Sequence, residues 1–388
     1  MGDRCWIRGV WCWHLGNICW LTTLLFAVCS IACGQEMVPD THHQTPSTQH
    51  QTPSTQHQTP STQHQTPDTQ HPSTHHPRTT PFTVVELNCE NLFDTRHDSL
   101  KEDKEWTAES ERHWTQRRYW RKLNSIGQEI IACGEDSTGW RLPDLVALCE
   151  VENDSCMHDL TKRSLLRKAR YEYVMTESND RRGIDVALLF CPTTFRLIGS
   201  GSIRVVPLEG MRPTRDILYA KGMTANGDTL HVFVVHAPSR YGGERATRKH
   251  RVRVAETLAA HIDSICSVTP GAAVIVAGDF NDYHDNEAPQ LLFRHGMRNI
   301  TQEARGSNGA KGTYKFQGEW RSIDHVMATE AMARRVATAR IADERFLMEE
   351  DGKYGGLTPA RNYRGRRYSE GFSDHLPLVV RFNLEVSD

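Results

Sequence analysis

Apolar and polar positions divide the chain into regions of different texture. From Pro81 onward short apolar runs recur at Phe82–Asn88, Asp144–Glu150, Tyr171–Thr176, Ile184–Phe190, Ile217–Met223, Leu230–Val235, Val274–Ala277, Ile323–Met327, Val336–Ala342 and Leu378–Leu384. Unbroken runs of Val, Ile and Leu at this length predict strands covered on both faces, which have no reason to alternate. Two longer stretches, Arg112–Ile131 and Glu244–Ile265, predict helices, the second strongly basic in its first turns. Strands interleaved with fewer helices suggest two packed sheets with helices outside.

Ahead of Pro81 the texture changes. Gln44-Thr45-Pro46-Ser47-Thr48-Gln49-His50 recurs from Gln51, from Gln58 and, with Asp68 in place of serine, from Gln65. Each unit holds a proline and no apolar position, so heptad packing is excluded and residues 34–80 read as a polar linker. About 45 such residues span roughly 35–40 Å as a flexible coil. In residues 1–33, Arg4 and Arg8 precede an apolar stretch whose core, Leu21–Val28, is too short to span a bilayer comfortably. This reads as an export signal. Ser30-Ile31-Ala32-Cys33 resembles a lipoprotein cleavage site, although the same small residues would serve an ordinary signal peptidase. The expected location is extracytoplasmic, lipid-anchored to the envelope or secreted, with membrane contact only through this N-terminus. Residues 81–388 are left as one catalytic domain, expected to be a monomer.

Cysteine and charge change this picture little. Cys89, Cys133, Cys149, Cys156, Cys191 and Cys266 show no CxxC or Cys/His spacing, so zinc is not expected. Disulfides and buried free thiols both remain open. A net charge of −2 says nothing decisive about partners.

The chemistry stands at the strand ends. Asn88, Glu150, Glu177, His236, Asp279, Asn281, Asp324, Asp374 and His375 each follow or close an apolar run, so packed sheets would bring many of them to one edge. In Gly278-Asp279-Phe280-Asn281-Asp282, Asp279 and Asn281 sit two apart at a strand end and share a side, suited to a hydrated cation, a phosphate or an attacking water.

Leu87-Asn88, Cys149-Glu150-Val151, His236-Ala237-Pro238-Ser239, Gly278-Asp279-Phe280-Asn281-Asp282, Ile323-Asp324-His325 and Ser373-Asp374-His375-Leu376-Pro377-Leu378 together resemble the endonuclease/exonuclease/phosphatase superfamily over nearly all of residues 82–385. Cys149 departs from it, since the family commonly has glutamine there. The resemblance implies a four-layer α/β sandwich, deoxyribonuclease I-like, with two mixed sheets inside. It further implies metal-assisted phosphoester hydrolysis. Glu150, Asn88 and Asp374 would hold Mg²⁺ (Mn²⁺ or Ca²⁺ being possible), and Asp279 and Asn281 would position water and phosphate. Asp324 would orient His375. His236, with Glu177 as its acid, resembles the second acid-histidine pair of deoxyribonuclease I, and Arg215 a phosphate-contacting arginine of that enzyme.

Two basic stretches bear on substrate. One runs from Arg240 through Arg245, Arg248, Lys249, Arg251 and Arg253; the other holds Arg361, Arg364, Arg366 and Arg367 among Tyr363 and Tyr368. Arginines that follow phosphates and tyrosines that stack on bases favour nucleic acid. The expected function is therefore a metal-dependent endonuclease outside the cytoplasm. A phosphatase or sphingomyelinase-type phospholipase C of the same superfamily is the alternative, and a binding module that has lost its activity a second one. No exposed apolar run suits lipid, and no histidine or metal carboxylate is missing.

Overall fold

The computed structural model describes residues 78–136 and 139–386. The readings of residues 1–33 and 34–80 lie outside the described residues, apart from the last few positions, where the first strand has already begun.

Two six-stranded sheets form the frame. The chain lays down β1 (Thr79–Leu92), β2 (Leu145–Val151), β3 (Glu172–Met175) and β4 (Asp185–Phe190) in the first. It then builds the second from β5 (Phe195–Ile203), β6 (Ile217–Thr224), β7 (Thr229–His236), β8 (Ala273–Asp279), β9 (Met297–Asn299) and β10 (Asp324–Thr329). It returns to the first with β11 (Val336–Ile341) and β12 (Leu378–Glu385). The spatial orders are β11-β12-β1-β2-β4-β3 and β9-β10-β8-β7-β6-β5. In each sheet one central pair is parallel, β1 with β2 and β7 with β8, and the other neighbours run antiparallel, so both sheets are mixed.

The alternation of side chains along a strand sorts the apolar residues into layers. On β1, Phe82 and Val84 join Ala147, Leu188, Val232, Val234, Ile275, Ala277, Val326 and Val380 in the core between the sheets. Val85 and Leu87 face the other way, onto Leu123, Ile126 and Ile130 of α1 (Gln116–Ala132). Val274 and Val276 meet Val254, Leu258 and Ile262 of α2 (Glu244–Val268), with Ala288 and Leu292 of α3 (Glu287–Arg294) beside them. The result is the expected four-layer sandwich of helix, sheet, sheet and helix.

Two departures have local causes. The first helix starts at Gln116 rather than Arg112, because Trp114 is fully buried and its Nε1 donates to the Phe93 carbonyl at 3.0 Å, holding residues 112–115 in a turn. Strand β5 left no apolar run to find, since it is an edge strand, largely exposed, whose sequence is interrupted by Gly199, Ser200, Gly201 and Ser202. All six cysteines in the described residues are free, four of them buried.

Candidate active site

Three of the expected residues share one rung of the second sheet. Asp279, the last residue of β8, lies opposite His236 on β7 and opposite Asp324 on β10. Directly opposed residues on neighbouring strands present their side chains on the same face, so register alone assembles this trio. The rung depends on Gly278, whose φ is 149° and whose added Cβ would lie 1.9 Å from the Val235 carbonyl oxygen. From the first sheet, Asn88 reaches across and donates Nδ2 to Asp279 Oδ2 at 3.1 Å. The site therefore sits where the ends of both sheets meet.

His375 completes a dyad with Asp324. Its Nδ1 lies 3.0 Å and 2.8 Å from the two carboxylate oxygens, and Thr313 Oγ1 donates to Asp324 Oδ2 at 2.5 Å. The loop carrying His375 is stapled to β1 through Ser373, whose hydroxyl donates to the Asn88 carbonyl at 2.6 Å and accepts the His375 amide at 3.2 Å. Burial opposes protonation of His375. The Asp324 charge and hydrogen bond, followed by the charges of Asp374 and Asp279, outweigh it and hold the imidazole pKa well above its usual value. His236 is the reverse case. Burial, then the charges of Arg215, Arg182 and His375, keep it well below the usual value and hence neutral. The carboxyl of Asp279 is pushed up to about 7 by burial and by the charge of Asp324. Deeper on the same face of β1, Glu86 is fully buried with neither side-chain oxygen bonded to a described residue, and burial together with the charges of Asp324 and Asp279 holds its pKa well above the carboxylate range.

Glu150 reaches the site through a kink in the backbone. The pairing of β2 shifts register on both sides between Cys149 and Val151, and Glu150 takes φ 63° while Asn91 beside it takes φ 62°. Such conformations cost about 1–3 kcal/mol each in non-glycine residues and persist only where the surroundings enforce them. Here the bulge aims the carboxylate inward, and its Oε2 accepts the Asn91 amide at 2.9 Å. Glu150 Oε1 faces His236 Nε2 at 3.8 Å, and Asp374 Oδ1 faces His375 Nε2 at 4.0 Å, both too long for hydrogen bonds. These incompletely partnered oxygens, with the Asp279 carboxyl nearby, are hard donors of the kind that suit a hard divalent cation, so the residues present fit the expected metal. Asp279, Asp324 and His375 also bring one ligand atom each within 4.8 Å of one another. We read that trio as the hydrogen-bonded dyad with its neighbour, because Asp324 is fully enclosed and its oxygens already serve His375 and Thr313.

One pocket of about 580 Å³ gathers Glu150, His236, Asp279, Asn281, Asp374 and His375, together with Arg182, Arg240 and a set of aromatic residues. Other expected residues have different roles. Glu177 is exposed and lines a neighbouring groove with Asp94 and His97, so it forms no pair with His236, whose Nδ1 is buried without a hydrogen-bond partner. Just past the end of β3, the Thr176 hydroxyl donates to Asp185 Oδ1 at 2.6 Å and the Ser178 amide to Asp185 Oδ2 at 3.0 Å, and with both of these residues buried Glu177 between them is left exposed. Arg215 is buried with its fork committed to Asp180 at 3.1 Å and to the carbonyls of His236 at 3.2 Å and Ala237 at 2.9 Å, so it props the His236 backbone instead of meeting phosphate. The Asn88 amide is likewise engaged, its Oδ1 accepting the Glu90 amide at 2.9 Å, and it braces Asp279 instead of facing outward to a metal. Asn281, at φ 50°, donates Nδ2 to the Ala237 carbonyl and to Asp279 Oδ2, both at 3.1 Å, and so orients Asp279. Arg361, noted in sequence only as part of a basic stretch, donates to Asp374 Oδ2 at 2.5 Å and fixes that carboxylate. Arg182, Tyr283 and Tyr314 were not anticipated; they come from loops and a short hairpin and left no strand-end signal.

No curated protein sequence matches the chain. Among solved structures, an endonuclease/exonuclease/phosphatase family protein from Bacteroides thetaiotaomicron superposes with a TM-score of 0.53 at 12% identity, covering 80% of this chain and 100% of the other. A mannosyl-6-phosphatase of Bacteroides thetaiotaomicron VPI-5482 gives 0.52 at 14% identity, covering 77% and 98%. Identities this low establish the shared fold. The model of the endonuclease/exonuclease/phosphatase family matches residues 83–384, from within β1 to the penultimate residue of β12, and the chain therefore belongs to the endonuclease/exonuclease/phosphatase family.

Proposed function

We propose that this chain is a metal-dependent phosphodiesterase acting on nucleic acid. The observation that carries the reading is the single rung His236-Asp279-Asp324, with His375 joined to Asp324 and the open carboxylates of Glu150 and Asp374 facing the same pocket. Glu150 and Asp374 would hold the cation, which when bound supplies charge neutralisation at the phosphoryl oxygens. Asp279, with its pKa near neutrality, accepts the proton of the attacking water. Neutral His236 donates a hydrogen bond to a phosphoryl oxygen as negative charge grows there. His375 carries the proton needed by the leaving oxygen, and Asp324 keeps its Nε2 aimed at the pocket.

The cations available to substrate are few. Arg248 pairs with Glu244, Arg251 with Asp282, Arg253 with Glu256, Arg364 with Glu349 and Arg366 with Glu111. Arg245, Lys249 and Arg367 are exposed but do not line the pocket, whose own arginines are Arg182, 3.9 Å from Glu150, and Arg240, which suits contact with one or two phosphates at the site. A phosphomonoesterase is the second reading, favoured by the same short cationic reach. Residues 1–33 support an extracytoplasmic location as a proposal. The test is to incubate the chain with a single-stranded oligonucleotide, supercoiled plasmid, sphingomyelin and a sugar phosphomonoester, with Mg²⁺ and with chelator. Oligonucleotide cleavage abolished by chelator is expected; turnover of only the phosphomonoester or sphingomyelin overturns the nuclease reading.

A further inference from the structure

Two large aromatic side chains stand in solvent at the mouth of a polar catalytic pocket. Tyr241 is 93% exposed and Phe316 57% exposed, and both line the pocket that holds His236 and His375. Neither packs into a core, so folding gives no account of them there.

Phe316 is held rigidly from behind. It belongs to a two-stranded hairpin, Tyr314–Phe316 with Glu319–Arg321, turned by Gln317 and Gly318 at φ 49° and 87°. Lys315 anchors this hairpin through a 2.8 Å hydrogen bond to the Gly355 carbonyl and a 2.9 Å ion pair with Asp351. The Tyr314 ring lies 5.0 Å from the His375 ring, and the Phe316 ring lies 6.4 Å from Tyr314 at an interplanar angle of 14°. A row of ring faces thus leads outward from the dyad histidine. Tyr241 sits in a different setting, followed by Gly242 and Gly243 at φ 89° and 107°, a backbone able to swing. Beside it the Arg240 guanidinium stacks 4.3 Å from the Tyr283 ring centre, with Nη1 buried and unpartnered. A stacked guanidinium keeps its edge for an anion.

On the phosphodiesterase reading, we infer that Phe316 and Tyr241 grip the unpaired base next to the scissile phosphate while Arg240 takes that phosphate, so that the enzyme selects single-stranded nucleic acid. A paired base is stacked within its own duplex and offers no free face to the Phe316 platform. Stacking of one base on an aromatic side chain corresponds to roughly 10- to 100-fold in affinity.

The test compares kcat/KM of the full chain, with Mg²⁺, on a short single-stranded oligonucleotide, on the same strand with one abasic tetrahydrofuran residue, and on its duplex. The unmodified single strand should exceed the other two by roughly 10- to 100-fold. The combined Tyr241→Ala and Phe316→Ala variant should bring the ratio of unmodified to abasic close to one, and Phe316→Trp should retain it. Equal rates on unmodified and abasic strands in the wild type, or an undiminished ratio in the double variant, overturn the inference while leaving the phosphodiesterase reading intact. No hydrolysis of any oligonucleotide, with the phosphomonoester turned over, sinks that reading and this inference together.

Discussion

Arg251→Met should be among the most damaging single changes outside the pocket. Arg251 on α2 and Asp282, just past Asn281, are both fully enclosed, with Nε 2.7 Å from Oδ1. Arg251 also donates to Thr247 Oγ1 at 2.7 Å and to the Glu244 carbonyl at 3.2 Å, and the Asp282 carbonyl lies 2.9 Å from His325 Nε2. The pair thus ties the helix to the loop that carries Asp279 and Asn281. Removing one member of a buried pair leaves the other charge uncompensated and typically costs about 3–5 kcal/mol. Burial already pushes the Asp282 carboxyl up to about 6 with Arg251 opposing the rise, so without Arg251 it would take up a proton at higher pH still. A carboxyl whose native pKa is raised stabilises at low pH and loses that contribution as pH rises, so the variant's deficit should be larger at pH 8 than at pH 5. Urea unfolding of wild type, Arg251→Met, and the combined Arg251→Met and Asp282→Leu variant at both pH values measures this. The double variant should recover most of the loss, because no charge is left stranded. A deficit under about 1 kcal/mol at pH 8, or a double variant as weak as the single, refutes the stranded-charge account.

Other changes separate the roles within the site. His375→Ala should lower the hydrolytic rate roughly 10²- to 10⁴-fold, whereas Glu177→Ala should leave it near wild type; a matching loss in Glu177→Ala would restore a second acid-histidine pair. Gly278→Ala places a methyl group against the fixed Val235 carbonyl and should cost more than about 1 kcal/mol in urea unfolding, and a neutral result would show that β7 and β8 can separate without penalty. Burial lowers the His325 pKa to about 4 from 6.5, so the unfolded chain binds a proton that the native one does not. Stability from this group is full above about pH 6.5 and falls by on the order of 3 kcal/mol as pH drops towards 4; His325→Gln should flatten that slope, and an unchanged slope contradicts the assignment.

What could be seen in sequence follows from how each residue is held. His236 and Asp279 are legible because a strand buried on both faces is an unbroken apolar run, and the polar residue that closes it emerges at the sheet edge, while Asp324 opens its strand and is legible from the Ile323-Asp324-His325 motif. Their mutual contacts come from register between three strands, which a run of residues does not encode by itself. Glu177 shows the limit. It closes an apolar run as His236 and Asp279 do, but Asp185 on the neighbouring strand holds the Thr176 hydroxyl and the Ser178 amide just past the strand end, and that leaves Glu177 outside. Arg215 fails for a related reason, since an arginine is as ready to tie down carbonyls as to meet phosphate, and the choice was made by Asp180 and the end of β7. The same reasoning explains why the two basic stretches promised more positive surface than the fold delivers. A run of arginines does not show its partners, and the acids that pair with Arg364 and Arg366 lie at Glu349 and Glu111, outside the basic stretch. At the pocket, Arg182 lies 3.9 Å from Glu150 and donates to Asn91 Oδ1 while Arg240 stacks on Tyr283, and on the proposed function these two arginines would set how many phosphates the site holds.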